Sequence, residues 1–336
     1  MGTCLTGTDG YSDGVIDRFE RASGALIGLA MGDALGMPVQ EYSRDEVSKF
    51  FDGKMSFKAA RSDHPYAHGL GRARITDDTE QSFIIADLLI AKMGQVTAQD
   101  VALALESWEG HQIELGRADL LGPSTKCALL AYRSGVPVIE TGTKGTTNGA
   151  AMRIAPVGIA FDATRPDGGL VRSVREIGLV THNTGIANAG ATLIASLISC
   201  LINGVDAWEA LDDAYCDADI AQQFGNQTEH ELLSAMVRRA ISSHGSALAS
   251  DVEISSSVPT AVACVFAHLG QPLDALIHAV SLGGDTDTIA SIAGGIAGAL
   301  HGYEAWPREY SEEVVNINSL QIDHYAQKLL ELRDRG

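Results

Sequence analysis

Apolar residues recur at helical spacing along almost the whole chain. Alternating runs of Val, Ile and Tyr, which are typical of strands, are nearly absent. The pattern therefore predicts an all-α protein. The predicted helices cover Val15–Ala34, Glu80–Lys92, Thr97–Trp108, Ser124–Ser134, Gly168–Val180, Gly185–Asn203, Ala207–Cys216, Glu229–Ser243, Val258–Leu269, Leu273–Ser281, Thr288–His301, Tyr310–Asn318 and Ile322–Arg333.

Two of these helices are unusually apolar. The stretch at residues 289–301 reads IASIAGGIAGALH, and its glycines would make an isolated helix unstable. Such a helix needs close packing on every side. The stretch from Ile186 to Ile202 is interrupted by small polar residues, which favours a core helix over a membrane span.

The loops between the predicted helices contain Gly, Pro and Ser, but none is long enough to be a flexible linker. No repeat of fixed period is present, which disfavours a solenoid. The first residues, MGTCLTGTDGYSDG, lack the basic and apolar regions of a signal peptide. We therefore predict a flexible tail at residues 1–14 and a single compact domain at residues 15–336.

The chain is strongly acidic, with 24 Lys and Arg against 43 Asp and Glu and a net charge of −19. This balance argues against a surface that binds phosphate backbones, so we expect neither nucleic acid nor a membrane as a partner. The five cysteines are scattered without paired spacing, which argues against a disulfide framework and a zinc site. This cysteine usage predicts a cytoplasmic location.

Candidate chemistry begins at residues 283–288, which read GGDTDT and lead into the apolar helix. One interpretation is a helix cap, since Asp and Thr are favoured at helix starts and a carboxylate suits the positive end of the dipole. A cap, however, needs only one such residue. Two carboxylates and two hydroxyls within four positions favour a hard cation such as Mg²⁺.

A second acidic cluster, TDDTE at residues 76–80, has the same layout and also precedes an apolar stretch. Taken by themselves, Asp77 and Asp78 are better explained as capping residues. Two such clusters facing each other, however, would repel or stay protonated without a cation between them. A two-metal site shared by both clusters resolves this conflict.

Six motifs follow one another over roughly residues 20 to 333: GLAMGDALGMPVQ (28–40), TDDT (76–79), LGPST (121–125), TNGAAMRIAPVG (147–158), THNTGIANAGA (181–191) and GGDTDTIASIAGGIAGALHG (283–302). As an ordered set they resemble the ADP-ribosylglycohydrolases, whose members release ADP-ribose from modified arginine or serine. The resemblance implies a compact, orthogonal multi-helix all-α bundle with two Mg²⁺ ions in a central cleft, and Mn²⁺ as the alternative metal.

The resemblance also assigns roles to individual residues. The implied metal ligands are Thr76, Asp77, Asp78, Asp285, Asp287 and Thr288. Asp33 would order the neighbouring loop and not bind metal.

Substrate contacts are implied at Asn148, Gly149, His182 and Ser124. The residues themselves leave each role open. Asn148 and Gly149 are equally consistent with a turn before a helix, and His182 with a histidine in an exposed turn. Ser124 is equally consistent with a helix cap behind a proline.

Gln40 departs from the family pattern, because relatives often carry a glutamate at this position and the acid of this chain, Glu41, comes one residue later. An amide cannot accept a proton at neutral pH, so either Glu41 or an acid of the TDDT motif would be the general base. We favour Asp77 or Asp78 as the catalytic residue.

The implied reaction is hydrolysis at the anomeric carbon of a terminal ribose, which would release ADP-ribose from an ADP-ribosylated protein or small molecule. One alternative is a hydrolase of small N- or O-ribosides on the same fold. Another is a non-catalytic relative that kept only the fold. A third, an isoprenoid-synthase motif at residues 77–80, is disfavoured because residues 285–287 have the wrong spacing for its second half.

Overall fold

The computed structural model describes residues 16–117, 120–165, 169–243 and 249–335. Its helices are α1 (Arg18–Gly36), α2 (Arg44–Phe51), α3 (Asp77–Ala91), α4 (Ala98–Glu114), α5 (Pro123–Arg133), α6 (Val138–Thr141), α7 (Gly149–Met152), α8 (Ala155–Ala160), α9 (Gly169–Leu179), α10 (Gly185–Ile202), α11 (Ala207–Ala221), α12 (Leu233–Ser242), α13 (Ile254–Ala267), α14 (Pro272–Ser281), α15 (Thr286–His301), α16 (Arg308–Asn318) and α17 (Ile322–Arg335). Within these ranges, β structure is confined to isolated bridges such as Tyr42 with Gly284. The all-α prediction is confirmed.

Every predicted helix is present, with boundaries that differ by a few residues. Helix α4 shows the largest shift, because it ends at Glu114 and not at Trp108. Helix α13 begins at Ile254 and not at Val258, and it carries Pro259 inside it, so the placement of the preceding serines between helices is wrong. Val258 and Val262 are fully buried on either side of the proline, and that burial offsets the missing backbone hydrogen bond.

Four helices are absent from the prediction: α2, α6, α7 and α8. Helix α2 buries only Val47 and Phe51, so its apolar period is weak. A capping box, in which Ser43 and Glu46 bond each other's backbone N–H groups, marks its start and is visible in the sequence. The other three helices have only four to six residues each, which is too short for a period to show.

Most buried apolar side chains form one contiguous cluster from Ala22 in α1 to Leu329 in α17. A second, small cluster consists of Met37, Ala60, Ala67 and Leu70. The predicted division into a tail and a single domain stays a prediction, since residues 1–15 lie outside the described part of the chain. Two stretches, Arg18–Val39 and Gly185–Ile202, are long and apolar enough to cross a membrane, and both are entirely buried inside the protein. Burial of this extent is also what core helices of soluble proteins show.

The centre of the core is an antiparallel contact between α1 and α15 in which the two backbones touch. The Cβ of an alanine at Gly28 would lie 2.3 Å from the carbonyl oxygen of Gly294, and one at Gly294 would lie 2.0 Å from that of Gly28. Residues of α1 with such contacts recur every fourth position: Gly24, Gly28, Gly32 and Gly36. Their neighbours in α15, in reverse order, are Gly298, Gly294, Ala290 and Thr286. At the four α1 positions only glycine permits this distance, because any Cβ there would overlap the backbone of α15.

The contact also fixes the end of the helix pair at which the acidic motifs lie. A Cβ at Gly36 would lie 2.5 Å from the Cα of Asp287, so the two chains meet directly beside that acid. At the opposite end, Arg21 donates hydrogen bonds to the carbonyl oxygens of Ala299 (2.9 Å) and Leu300 (2.6 Å). Glycine packing and this polar contact together prevent α15 from sliding along α1.

We predict that Gly294→Ala lowers the free energy of unfolding by about 1–3 kcal/mol or more, because the new methyl group overlaps the backbone of α1. The adjacent Gly295→Ala is the matched control, since its Cβ would meet the nearest atom, Ile198 Cδ1, at an ordinary 3.7 Å. Its expected effect is neutral, or stabilising by up to about 1 kcal/mol from helix propensity. Urea unfolding of both variants makes the comparison. Equal effects of the two substitutions would contradict the packing described here.

Candidate metal centre and active site

Three carboxylates from three helices meet at the end of the α1–α15 pair. Asp33 of α1, Asp78 of α3 and Asp287 of α15 each offer an oxygen, and the three oxygens lie within 4.8 Å of one another. All three side chains are buried. The α1–α15 contact places Asp33 and Asp287 together, and α3 adds the third acid.

Asp33 connects α1 to the start of α3. Its carboxylate accepts hydrogen bonds from the backbone N–H groups and the hydroxyls of both Thr76 and Thr79, at distances from 2.5 to 3.1 Å. Burial raises the pKa of Asp33 to about 6, although these hydrogen bonds act in the opposite direction. Through these bonds Asp33 orders the start of α3, which carries Asp77 and Asp78. An Asp33 oxygen also belongs to the group of three carboxylates, so the expectation that Asp33 does not bind metal stays a prediction.

The GGDTDT cluster at residues 283–288 is positioned by a turn that only glycine accommodates well. Gly283 and Gly284 both have positive φ, at 74° and 73°. Gly284 exchanges backbone hydrogen bonds with the segment between α1 and α2. It accepts from the N–H of Glu41 (2.7 Å) and donates to the carbonyl of Tyr42 (2.8 Å). The next N–H, that of Asp285, donates to the carbonyl of Ser250 (2.7 Å). The turn is therefore held from two sides just before the acids begin.

Asp285 is oriented by two amides and a hydroxyl. Asn148 donates its Nδ2–H to Oδ2 at 2.5 Å, and Gln40 donates its Nε2–H to Oδ1 at 3.3 Å. The Thr288 hydroxyl also lies 3.3 Å from Asp285 Oδ1. Gln40 thus helps to orient a predicted metal ligand. For this it acts as a hydrogen-bond donor, which an amide can do and an ionised glutamate cannot.

Asp78 has few hydrogen-bond donors for its charge. Its Oδ1 is buried without a partner. Its Oδ2 lies 3.3 Å from the Thr76 hydroxyl and 3.4 Å from the Thr288 hydroxyl. Each hydroxyl has a single proton and a carboxylate at an equal or shorter distance, at 2.8 Å for Thr76 and 3.3 Å for Thr288. Asp78 is therefore a buried carboxylate whose needs the surrounding protein does not meet.

The electrostatics of the cluster are unfavourable for the protein by itself. Burial raises the pKa values of Asp77, Asp78 and Asp287 well above their usual range, and neighbouring carboxylates raise them further. Among the described side chains, no Lys or Arg forms an ion pair with these three acids. Closely spaced, oxygen-only groups around an unpartnered buried oxygen fit a divalent cation, so this cluster fits a metal site.

The nearest buried cation, Arg153, reaches the cluster through an amide. Arg153 donates from Nη1 to the Gln81 side-chain oxygen (2.9 Å), and Gln81 donates from Nε2 to Asp77 Oδ2 (3.4 Å). Burial lowers the pKa of Arg153 to about 10, while Asp77 acts in the opposite direction. Arg153 therefore places positive charge behind Asp77 without neutralising it by direct contact.

Arg153 also sets the state of His182. Its second guanidinium nitrogen donates to the Thr181 hydroxyl, so the single proton of that hydroxyl is left for His182 Nδ1, 2.7 Å away. The remaining nitrogen, Nε2, lies 3.0 Å from the Thr147 hydroxyl and is the donor there in the tautomer in which Nδ1 accepts from Thr181. Burial, together with the charge of Arg153, lowers the pKa of His182 well below its usual value, which keeps the ring neutral.

His182 consequently lies behind the Thr147–Gly149 turn. The side chain is fully buried, so the alternative of a histidine in an exposed turn is wrong. A Cβ at Gly149 would lie 2.8 Å from His182 Cε1, which shows how closely the ring supports that glycine. Both ring nitrogens have partners inside the protein. Direct contact of His182 with a substrate stays a prediction.

The structure brings most of the predicted site residues together. The group around Asp78 consists of Thr76, Asp77, Asp285, Asp287, Thr288 and Asn148, with Gly149 next to Asn148. Ser124 differs, because it is a partly exposed residue of α5 and no described hydrogen bond joins it to the acids. Ser124 does not cap that helix either, since Gly122 occupies the N-cap position.

Sequence reasoning missed Gln81, Arg153 and Thr181 as parts of the site. Arg153 lies within the TNGAAMR motif and Thr181 within the THNTG motif, so both were in view as motif members. Nothing in their spacing indicates that one guanidinium connects Gln81 to Thr181. That connection depends on how α3, α7 and α10 pack.

Comparison with known proteins agrees with these features. The family model for ADP-ribosylglycohydrolase matches residues 15–336. The uncharacterized protein YegU of Escherichia coli is 33% identical over 330 residues, covering 94% of this chain and 98% of that protein. The ADP-ribosylarginine hydrolase Tri1 of Pseudomonas putida is 30% identical over 319 residues, covering 93% and 78%. Human ADP-ribosylhydrolase ARH3 is 25% identical over 352 residues, covering 92% and 93%.

Among solved structures, a chain of an ADP-ribosylglycohydrolase-related protein complex is similar in fold. The TM-score is 0.66 at 22% identity, and the match covers 95% of this chain and 99% of the other. At this identity the likeness concerns the fold. It confirms the multi-helix architecture predicted from the ordered motifs.

Proposed function

Because this chain belongs to the ADP-ribosylglycohydrolase family and is a glycosidic hydrolase, we propose that it releases ADP-ribose from an ADP-ribosylated protein or small molecule. The family predicted from the motifs is thereby confirmed. The proposed reaction is attack of water on the anomeric carbon of the terminal ribose, which breaks the bond to the acceptor nitrogen or oxygen.

The observation that carries the proposal is the group of buried acids around the unpartnered Oδ1 of Asp78. We propose that Thr76, Asp77 and Asp78 on one side, and Asp285, Asp287 and Thr288 on the other, hold two Mg²⁺ ions, with Mn²⁺ as the alternative. When bound, the ions would supply Lewis-acid polarisation at the ribose and the water. Asn148 and Gln40 keep Asp285 in place for this role.

Asp77 is the acid best placed to take a proton from the attacking water. It is 8% exposed, whereas Asp78, Asp285 and Asp287 are each 1% exposed. Its recorded side-chain hydrogen bond is a long one, 3.4 Å from Gln81 to Oδ2, which leaves Oδ1 available. The carboxylates also stabilise positive charge that develops at the anomeric carbon. The departing group would take its proton from solvent.

Glu41 is the competing base, and its position is less suitable. Its side chain is exposed, and its backbone has a φ of 66° in the turn that bonds Gly284. Partial desolvation of the carboxyl group, together with the nearby charges of Asp285 and Asp251, raises the pKa of Glu41 even though the residue as a whole is exposed. Glu41 thus lies at the rim of the acid cluster, where it can influence what approaches without taking part in the chemistry.

The alternative functions differ in the group that is linked to the ribose and in whether the substrate must contain a full ADP-ribose. A hydrolase of small N- or O-ribosides would use the same acids. The presence of Gln40 at a position where relatives often carry an acid makes that reading the main competitor. We further propose a cytoplasmic location, in line with the cysteine usage.

The test is an activity screen with Mg²⁺ or with EDTA. Substrates are arginine-linked and serine-linked ADP-ribosyl peptides, together with simple nucleosides and ribose phosphates. We expect release of free ADP-ribose from at least one peptide, loss of turnover in EDTA and recovery on adding Mg²⁺. Turnover of the small ribosides without the peptides would replace this proposal by the small-riboside alternative. Absence of turnover on every substrate with Mg²⁺ would indicate a non-catalytic relative.

A second prediction separates the two candidate bases. Asp77→Asn should lower kcat by about 10²- to 10⁴-fold, the usual contribution of a general base. Glu41→Gln makes the same change of carboxylate to amide at the rim, and we expect it to lower kcat by less than about tenfold. Single-turnover rates on the active substrate give the comparison. The opposite ranking would assign the base to Glu41.

A further inference from the structure

A separate cavity of about 390 Å³ lies beside α3. It is lined by one face of α3, by the C-terminal half of α4, by the connection between α16 and α17, and by Tyr325 of α17. Glu80, which follows Asp77 by three positions on α3, is in its wall. The cavity therefore begins about one helical turn from the proposed catalytic acid. None of the roles described above uses it.

Two side chains of the lining, Glu80 and Gln112, each have one oxygen that receives no hydrogen bond from the described residues. Glu80 accepts hydrogen bonds from Trp108 Nε1 and Gln112 Nε2, each at 2.7 Å, and both end on Oε2. Among the described residues, no donor reaches Glu80 Oε1. Gln112 is only 2% exposed, and its own Oε1 is buried without a partner. An unmet acceptor of this kind costs free energy and indicates a missing donor.

The walls around these oxygens are aromatic. Phe83 and Tyr325 pack edge to face with ring centroids 4.7 Å apart, and Trp108 is held in place by its bond to Glu80. A second carboxylate, Asp87, also lines the cavity. Its Oδ1 accepts a hydrogen bond from the Tyr325 hydroxyl at 2.9 Å. Aromatic faces beside carboxylates favour a cation with an apolar body.

The charge balance of the lining has the same sign. Of the described residues that line the cavity, two are carboxylates and none is Lys or Arg. His111 lies at the edge, with a side chain that is 64% exposed. Arg117, which is outside the lining, acts on Glu80 from a distance without an ion pair. Glu80 is thus a largely enclosed carboxylate without a cation in direct contact.

We propose that this cavity binds a planar cation of the alkylguanidinium type, with N–H groups directed at Glu80 Oε1 and Gln112 Oε1. A guanidinium presents several donors in a fixed plane, which suits two acceptors on adjacent side chains and also stacks on aromatic rings. An alkylammonium ion matches the charge but not the planar arrangement of donors. The site therefore selects for the shape of the cation as well as its charge.

Agmatine, an alkylguanidinium, is the probe, and its binding to the full chain is measured by calorimetry. Saturating Mg²⁺ is present so that the buried acids do not compete for the cation. The comparison ligand is the uncharged urea analogue of the same length. We expect agmatine to bind and the urea analogue to bind at least about tenfold more weakly, as the loss of a charge-assisted bond implies.

Three variants complete the test. Glu80→Gln keeps an oxygen for Trp108 and Gln112 but removes the charge, and Gln112→Leu removes the second acceptor; each should weaken agmatine at least about tenfold. Glu114→Gln is the matched control. Glu114 is on α4, the helix that carries Gln112, its side chain is 81% exposed, and the substitution removes the same charge as Glu80→Gln. Its affinity should not change. Circular dichroism checks that the variants fold. If one of the two cavity variants does not fold, the binding measurement on the other is sufficient for the test.

No agmatine binding, equal binding of the urea analogue, or equal weakening by Glu114→Gln would overturn the proposal. The measurement involves no turnover and goes beyond the proposed hydrolase activity. Its failure would leave that activity untouched. Likewise, a protein that proved inactive on every ADP-ribosyl substrate could still bind the cation here.

Discussion

The structure depends on the backbone contact between α1 and α15. Glycines at every fourth position of α1 let the two helices touch along their length, and an added methyl group would lie within about 2.5 Å of backbone atoms of the other helix at each crossing. This contact determines more than stability. It holds Asp33 and Asp287 on facing surfaces, and Asp33 in turn binds the start of α3 through Thr76 and Thr79, which brings Asp78 to the same point.

The result is a fold that concentrates negative charge where it cannot be hydrated. The carboxylates are close together because the glycine packing leaves the helices no other separation, and their pKa values rise in response. Burial of the large apolar core offsets the cost of burying these carboxylates close together. The proposed divalent cations would relieve this cost, so metal affinity and folding stability would be coupled through the same few side chains.

Much of this could be predicted from the sequence, and the limits are instructive. The apolar period located the long helices, and the acid pairs before two apolar helices indicated a metal site. Four-residue glycine spacing in α1 was equally visible, but nothing local shows that Gly28 meets Gly294, since pairing over such a separation is a property of the whole fold. The local pattern favoured an exposed turn at His182, but the segment with Gly142 and Gly145 packs directly against its backbone, and this contact is not visible from the neighbouring sequence. The link from Arg153 to Asp77 through Gln81 depends on the end of α7 meeting α3, which no single stretch of sequence shows.

Thermal melts of the wild type and of Asp287→Asn, in EDTA and in Mg²⁺, test the central claim most directly. The pKa of Asp287 is raised in the folded state, so its ionised form costs stability once the pH exceeds the ordinary Asp pKa of about 3.9. In EDTA at neutral pH the variant should therefore melt above the wild type, and the difference should shrink as the pH falls toward about 4. Added Mg²⁺ should raise the melting temperature of the wild type and leave that of the variant nearly unchanged. A wild type that ignores Mg²⁺, or a variant that melts lower in EDTA and responds to Mg²⁺ equally, would contradict the account.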